Sequence, residues 1–140
     1  MEITHQADYA LRAILYLARL EPLQRVPTSQ IAADNQIPAS FLTKIISQLS
    51  IAGIIHTSRG ARGGVWLAHA PEDITLLDVL EAIDGPIRLN QCVEDPKGCP
   101  ISTTCILNGF WKDTCGLLVG RLKGTNFGQL VEKYEQPVAV

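Results

Sequence analysis

The chain has 140 residues, 46% hydrophobic and 19% charged, with a net charge of −2. That length suits one compact domain or a small domain with an appended element, and the apolar fraction excludes a disordered polymer. No apolar run is long enough to cross a bilayer, and Met1-Glu2-Ile3-Thr4 leads into a helical pattern without a basic or apolar leader. A cytoplasmic location and no membrane partner are therefore expected. In a reducing compartment the four cysteines are expected as thiols or metal ligands rather than disulfides. The charge is uneven: residues 1–70 hold six Lys/Arg against four Asp/Glu, and residues 71–140 hold six against ten.

In chain order, residues 4–20 are predicted as a helix. Ala7, Leu11, Ile14, Leu15 and Ala18 recur at helical spacing, and Glu21-Pro22 ends the pattern. A second helix starts at Thr28 or Ser29, both good N-caps, and breaks at Asp34-Asn35-Gln36. A third begins near Pro38, buries Phe41, Leu42, Ile45, Ile46 and Leu49, and closes at Gly53. Ile54-Ile55 and Val65-Trp66-Leu67 read as two short strands around the polar turn Ser58-Arg59-Gly60-Ala61-Arg62-Gly63-Gly64. Thr75 caps a short helix over 75–84, whose apolar face is Leu76, Val79, Leu80 and Ile83. Residues 85–102 are irregular and contain Cys92 and Cys99. A long helix follows over about 103–123, with Leu107, Trp111, Leu118 and Leu122 as its stripe and Phe110 and Leu117 beside it. After Gly124 comes a short tail segment with Leu130 and Val131.

The fold class is mainly α with a small β-hairpin wing: a winged helix-turn-helix plus a long helix. The expected organisation is a DNA-binding unit over 1–72, a connecting helix and cysteine-bearing loop over 73–102, and the long helix with its tail over 103–140. The third helix offers Ala39, Ser40, Thr43, Lys44 and Ser47 on its outward, N-terminal side, with Phe41 beside them. Short polar groups and one cation suit the major groove of double-stranded DNA. In the wing, Arg59 and Arg62 flank Gly60, a turn that can lie close to a phosphate backbone or place arginine in a minor groove. Thr28 completes this set of DNA-facing candidates. The stripe of the long helix is too apolar to leave exposed, and either packing within one chain or pairing of two chains would cover it.

The cysteine pattern is Cys92-x6-Cys99-x5-Cys105. Thiolates suit iron–sulfur clusters and zinc, but the paired Cys-x2-4-Cys knuckles of structural zinc are absent from the sequence. A cluster, zinc, a redox disulfide and idle thiols all remain open on spacing alone. Cys115 lies on the order of 15 Å further along the helix, too far for the same cluster, and is expected as a packed small residue.

The segments Ala7-Asp8-Tyr9-Ala10-Leu11-Arg12, Ser58 to Leu67 and Pro71 to Val79 resemble the Rrf2 family of bacterial regulators, which includes cluster-sensing IscR and nitric-oxide-sensing NsrR. The resemblance runs through nearly the whole chain. It implies a homodimer held by the long helix, a partly palindromic operator, and an iron–sulfur cluster (2Fe–2S or 4Fe–4S) on Cys92, Cys99 and Cys105. IscR-type members place a histidine three residues after the last cysteine, where this chain has Asn108. NsrR-type members draw an aspartate from the partner's first helix, and Asp8 matches that position. The ordinary role for Asp8 is a first-turn acid paired with Arg12. The implied signal is nitric oxide, oxygen, iron status or cluster supply. One rival is a cofactor-free winged-helix regulator that uses thiol oxidation or a protein partner. No enzyme is expected: the sequence has no Cys-x-x-Cys and no glycine-rich phosphate loop.

Overall fold

The computed structural model describes residues 2–89, 96–98, 100–101 and 103–135. Their elements are α1 (His5–Ala18), α2 (Thr28–Asn35), α3 (Ala39–Ile51), β1 (Ile55–Ser58), β2 (Gly64–Leu67), α4 (Leu76–Asp84), α5 (Ile106–Lys123) and α6 (Phe127–Glu135). Short 3-10 turns occupy Pro71–Asp73 and Pro96–Gly98.

Helix α1 is the centre of the core. Thr4 caps it by accepting a hydrogen bond from the Ala7 amide at 3.1 Å. Ala7, Ala10 and Ala13 are fully buried with Ile14. Such small side chains let α3, α4 and α6 approach α1 closely. Helix α2 is fastened to α1 at its far end. The Tyr16 hydroxyl donates to Asp34 Oδ2 at 2.5 Å, and Arg12 Nη1 donates to the Asn35 carbonyl at 3.2 Å. The Asp34 carboxylate accepts that proton, and this holds the Tyr16 pKa above its ordinary value.

Left-handed Gln36 ends α2, buried Ile37 anchors the turn, and α3 then buries Leu42, Ile45, Ile46 and Leu49. Pro27, rather than Thr28 or Ser29, occupies the N-cap position of α2, and Thr28 becomes its first helical residue. Strands β1 and β2 pair antiparallel, with Ile55 opposite Leu67 and Ser58 opposite Gly64. Val26 adds a third, one-residue rung by exchanging two backbone hydrogen bonds with Val65, at 3.1 and 2.8 Å. Gly64 makes that rung possible. Its φ is +142°, and a Cβ there would lie 3.0 Å from the Val26 backbone.

Thr75 caps α4 in a reciprocal box with Asp78. The segment read from sequence as a tail forms α6 instead. Asn126 and Gln129 exchange hydrogen bonds at 2.9 and 3.1 Å at its start. Phe127 is 1% exposed and joins the same core as α1 and α3. Backbone bonds from Leu76 to Thr125 and from Phe127 to Ile74 tie α6 to the start of α4. Helix α5 starts at Ile106 rather than near Thr103, with Cys105 at its N-cap, and lies against α4. Among the described residues no helix is long and apolar enough to cross a membrane.

Candidate nucleic-acid interface and cysteine site

The face of α3 opposite its buried stripe carries Ser40, Thr43, Lys44 and Ser47, all exposed, with exposed Ala39 at its start. The Thr43 hydroxyl donates back to the Ala39 carbonyl at 3.0 Å, which fixes its rotamer. Phe41 lies on the flank of this face. It is 43% exposed, and its ring sits 6.1 Å from that of Tyr9 on α1. Periodicity places it in the buried stripe, whereas the structure leaves it at the margin. Lys44 and Arg59 make no hydrogen bond or ion pair among the described residues, so both cations are available to a ligand.

The wing is a short turn over residues 59–63, held by a hydrogen bond from the Gly63 amide to the Gly60 carbonyl at 2.9 Å. Arg59, Gly60 and Arg62 are exposed on it. Between wing and helix runs an open groove of about 580 Å³. Thr28, Thr43, Ser47, Arg59 and Gly60 line it, so the fold brings five of the sequence-derived candidates to one concavity. Ala39, Ser40, Lys44 and Arg62 are exposed but do not line it.

Sequence reasoning missed two contributors. Ile51, 86% exposed, lines the groove at the end of α3. Helical spacing of Ser40, Lys44 and Ser47 extrapolates to it, so a signal was present. Arg25 stacks its guanidinium 4.1 Å above the Trp66 ring and donates to the Arg62 carbonyl at 3.0 Å. No local pattern joins residues so far apart in sequence.

Of the cysteine site, Cys92 and Cys99 lie outside the described residues. Cys105 is a half-buried free thiol at the N-cap of α5 and makes no capping hydrogen bond. Cysteine sulfur is a soft donor of the kind that binds iron in iron–sulfur groups. By residue type alone, Cys105 together with Cys92 and Cys99 fits an iron–sulfur group in its chemistry. Cys115 is buried and donates to the Ile87 carbonyl at 3.4 Å, as expected of a packed residue. Asn108 is buried on the same side of α5. Asp8 is exposed on the first turn of α1 and pairs with Arg12 at 3.3 Å. Among the described residues no three His, Cys, Asp or Glu side chains converge as a metal site.

The rest of α5 is unusually bare. Ile106, Leu107, Phe110 and Leu117 are 90%, 61%, 56% and 77% exposed. Trp111, Leu118 and Leu122 are half-buried. The apolar surface thus extends beyond the stripe read from the sequence to the side facing away from α4.

Comparison with known proteins agrees with this architecture. Residues 3–133 match the family Rrf2, described as "Iron-dependent Transcriptional regulator". NsrR of Halalkalibacterium halodurans, an HTH-type transcriptional regulator, is 36% identical over 111 residues, covering 78% of this chain and 75% of that protein. IscR of Aliivibrio salmonicida, also an HTH-type transcriptional regulator, is 29% identical over 131 residues, covering 94% and 77%. The solved structure of CymR, the global cysteine regulator of B. subtilis, shares the fold at a TM-score of 0.76 and 23% identity, covering 95% and 98%. With α3, a β-hairpin wing and a groove between them, and a family match over nearly its whole length, the chain belongs to the Rrf2 family and is a DNA-binding transcriptional regulator, not an enzyme.

Proposed function

We propose that this regulator is a cytoplasmic homodimer that reads a partly palindromic operator with α3 and the wing, and takes its signal through an iron–sulfur cluster. One observation carries the DNA contact. Thr28, Thr43, Ser47, Arg59 and Gly60 converge on one open groove, with unpaired Lys44 and Arg59 at hand. Ala39, Ser40, Thr43, Lys44 and Ser47 face base edges and phosphates, Phe41 edges the contact, and Arg59 and Arg62 reach the backbone or a minor groove. The bare face of α5 supports the homodimer, because that much apolar surface is costly to leave in water.

Cys92, Cys99 and Cys105 would hold the cluster, with Asp8 of the partner subunit as the fourth ligand. Asp8 is free to serve at small cost, since its surface pair with Arg12 is worth about 1 kcal/mol or less. When bound, the cluster supplies an iron centre open to nitric oxide, oxygen or loss of iron. The chain's own residues provide a route from there to the DNA face. Cys105 begins α5, α5 rests on α4 through its buried side, and α4 packs on α1 and α3. The Thr4 hydroxyl also donates to Asp84 Oδ1 at 2.8 Å, joining the start of α1 to the end of α4. A restraint on the Cys105 thiolate thus reaches the recognition helix through packed elements.

The test is an absorption spectrum with iron and acid-labile sulfide counts on anaerobically purified protein. Brown protein holding both elements, bleached by nitric oxide or air, is the expected result. Colourless protein that stays empty after reconstitution would overturn the cluster and favour the cofactor-free regulator with thiol or protein-partner sensing. A Cys92→Ala/Cys99→Ala chain with wild-type operator affinity and response would overturn the switch.

A further inference from the structure

Arg25 stands just before the rung that Val26 forms with Val65. Its guanidinium lies 4.1 Å above the Trp66 ring centroid, and its Nη1 donates to the Arg62 carbonyl at 3.0 Å. Trp66 belongs to β2 and pairs across the hairpin with His56, whose ring centroid is 5.7 Å from the indole. One side chain outside the hairpin therefore grips both its rigid strand and its turn. The turn has little else to hold it: the single described backbone bond within residues 59–63 is from Gly63 to Gly60. Glycine at 60, 63 and 64 leaves the unfixed turn many conformations.

From this we infer that Arg25 is a positioning residue for DNA binding, which holds the wing in the shape that presents Arg59 and Arg62 to the DNA backbone. The inference rests on the proposed wing contact. With its π-face on Trp66 and one edge committed to a carbonyl, Arg25 acts through the wing rather than as one more phosphate contact. The planar guanidinium suits this grip, because it can lie over the indole and donate from its edge at the same time. A compact lysine ammonium can sit over the ring or reach the carbonyl but not do both in one fixed geometry. Ordering the turn before binding removes an entropic cost that the complex would otherwise bear.

The test is a double-mutant cycle on the full-length protein. Its probes are a duplex recovered by selection from a randomised library with the wild-type chain and a scrambled duplex of equal length. Arg59→Ala and Arg25→Ala are each expected to weaken binding about tenfold, and Arg59→Ala in the Arg25→Ala background by about threefold or less. Arg25→Lys is expected to resemble Arg25→Ala. Thermal unfolding of each variant guards against loss of fold. Additive effects, or an Arg25→Lys chain that binds like wild type, would show a mere charge and overturn the inference. If Arg59→Ala and Arg62→Ala leave affinity unchanged, the wing contact itself fails and this inference falls with it. A loss confined to the Arg25 variants would then be a direct contact.

Discussion

Helices α3 and α5 are comparable in hydrophobic content but opposite in arrangement. In α3 the apolar residues gather on one side, where Leu42, Ile45 and Leu49 are fully enclosed, and the other side is short and polar. In α5 only Asn108 and Cys115 are buried, while Ile106, Phe110 and Leu117 face away from the chain's own core. A helix with segregated faces completes its packing within one chain and leaves a polar surface for a polyanion. A helix apolar on several sides completes its packing only against a second body. On the proposed reading, α3 meets the DNA and α5 pairs the subunits.

The largest effect should come from reversing the character of α5. Phe110→Glu/Leu117→Glu places two charges on the bare face without touching Asn108 or Cys115. Light scattering should then report a particle near the 15.3 kDa of one chain rather than twice that mass. Operator affinity should fall by about 100-fold or more, because two linked half-site contacts become one. A double variant that remains dimeric would place the subunit interface elsewhere.

Next in size is Phe127→Ala, which tests whether the end of the chain belongs to the core that supports α3. Burial of Phe127 at 1% exposure predicts a loss of about 3–5 kcal/mol in a denaturant titration. A change below about 1 kcal/mol would mean that α6 is dispensable to that core.

The position of Phe127 also marks where the sequence ceased to be readable. Helices α1, α3 and α4 were legible because each repeats apolar residues at 3.6 spacing and carries a local stop or cap, such as Gly53 or Thr75. The wing was legible because glycine and arginine cluster between two apolar runs. Helix α6 was obscured by Gly124 and Gly128, both helix breakers on propensity, although Asn126 and Gln129 spell a capping pair. The polar face of α3 could be read from its period alone. Arg25 could not, since its partners Arg62 and Trp66 become neighbours only when β2 pairs with Val26. The cysteine spacing alone left a cluster, zinc, a disulfide and idle thiols open, because Cys92, Cys99 and Cys105 carry no paired knuckle that would choose among them.

A smaller effect is expected at the joint between wing and core. Gly64→Ala must adopt φ near +142° and press a methyl group to 3.0 Å from the Val26 backbone. The expected cost is about 1–3 kcal/mol, with hydrogen exchange quickening at the Val26 and Val65 amides. Gly60→Ala has positive φ but open space, so it should cost less. Equal losses at both sites would mean that crowding against Val26 contributes nothing.

The smallest effect concerns the seam between α1 and α2. Tyr16→Phe removes the hydrogen bond to Asp34 and should cost about 1 kcal/mol or less at neutral pH, since both groups are partly solvated. Its pH dependence has a definite sign. The phenol must keep its proton to donate, and its folded pKa is raised, so its contribution is complete below the unfolded pKa of 10.0. It is lost as pH rises through the higher folded value. Wild type should therefore exceed Tyr16→Phe in urea midpoint at pH 8, and the difference should close as the pH is taken well above 10. A gap that persists at high pH would mean that the ring hydroxyl stabilises the seam by some means other than donating this proton.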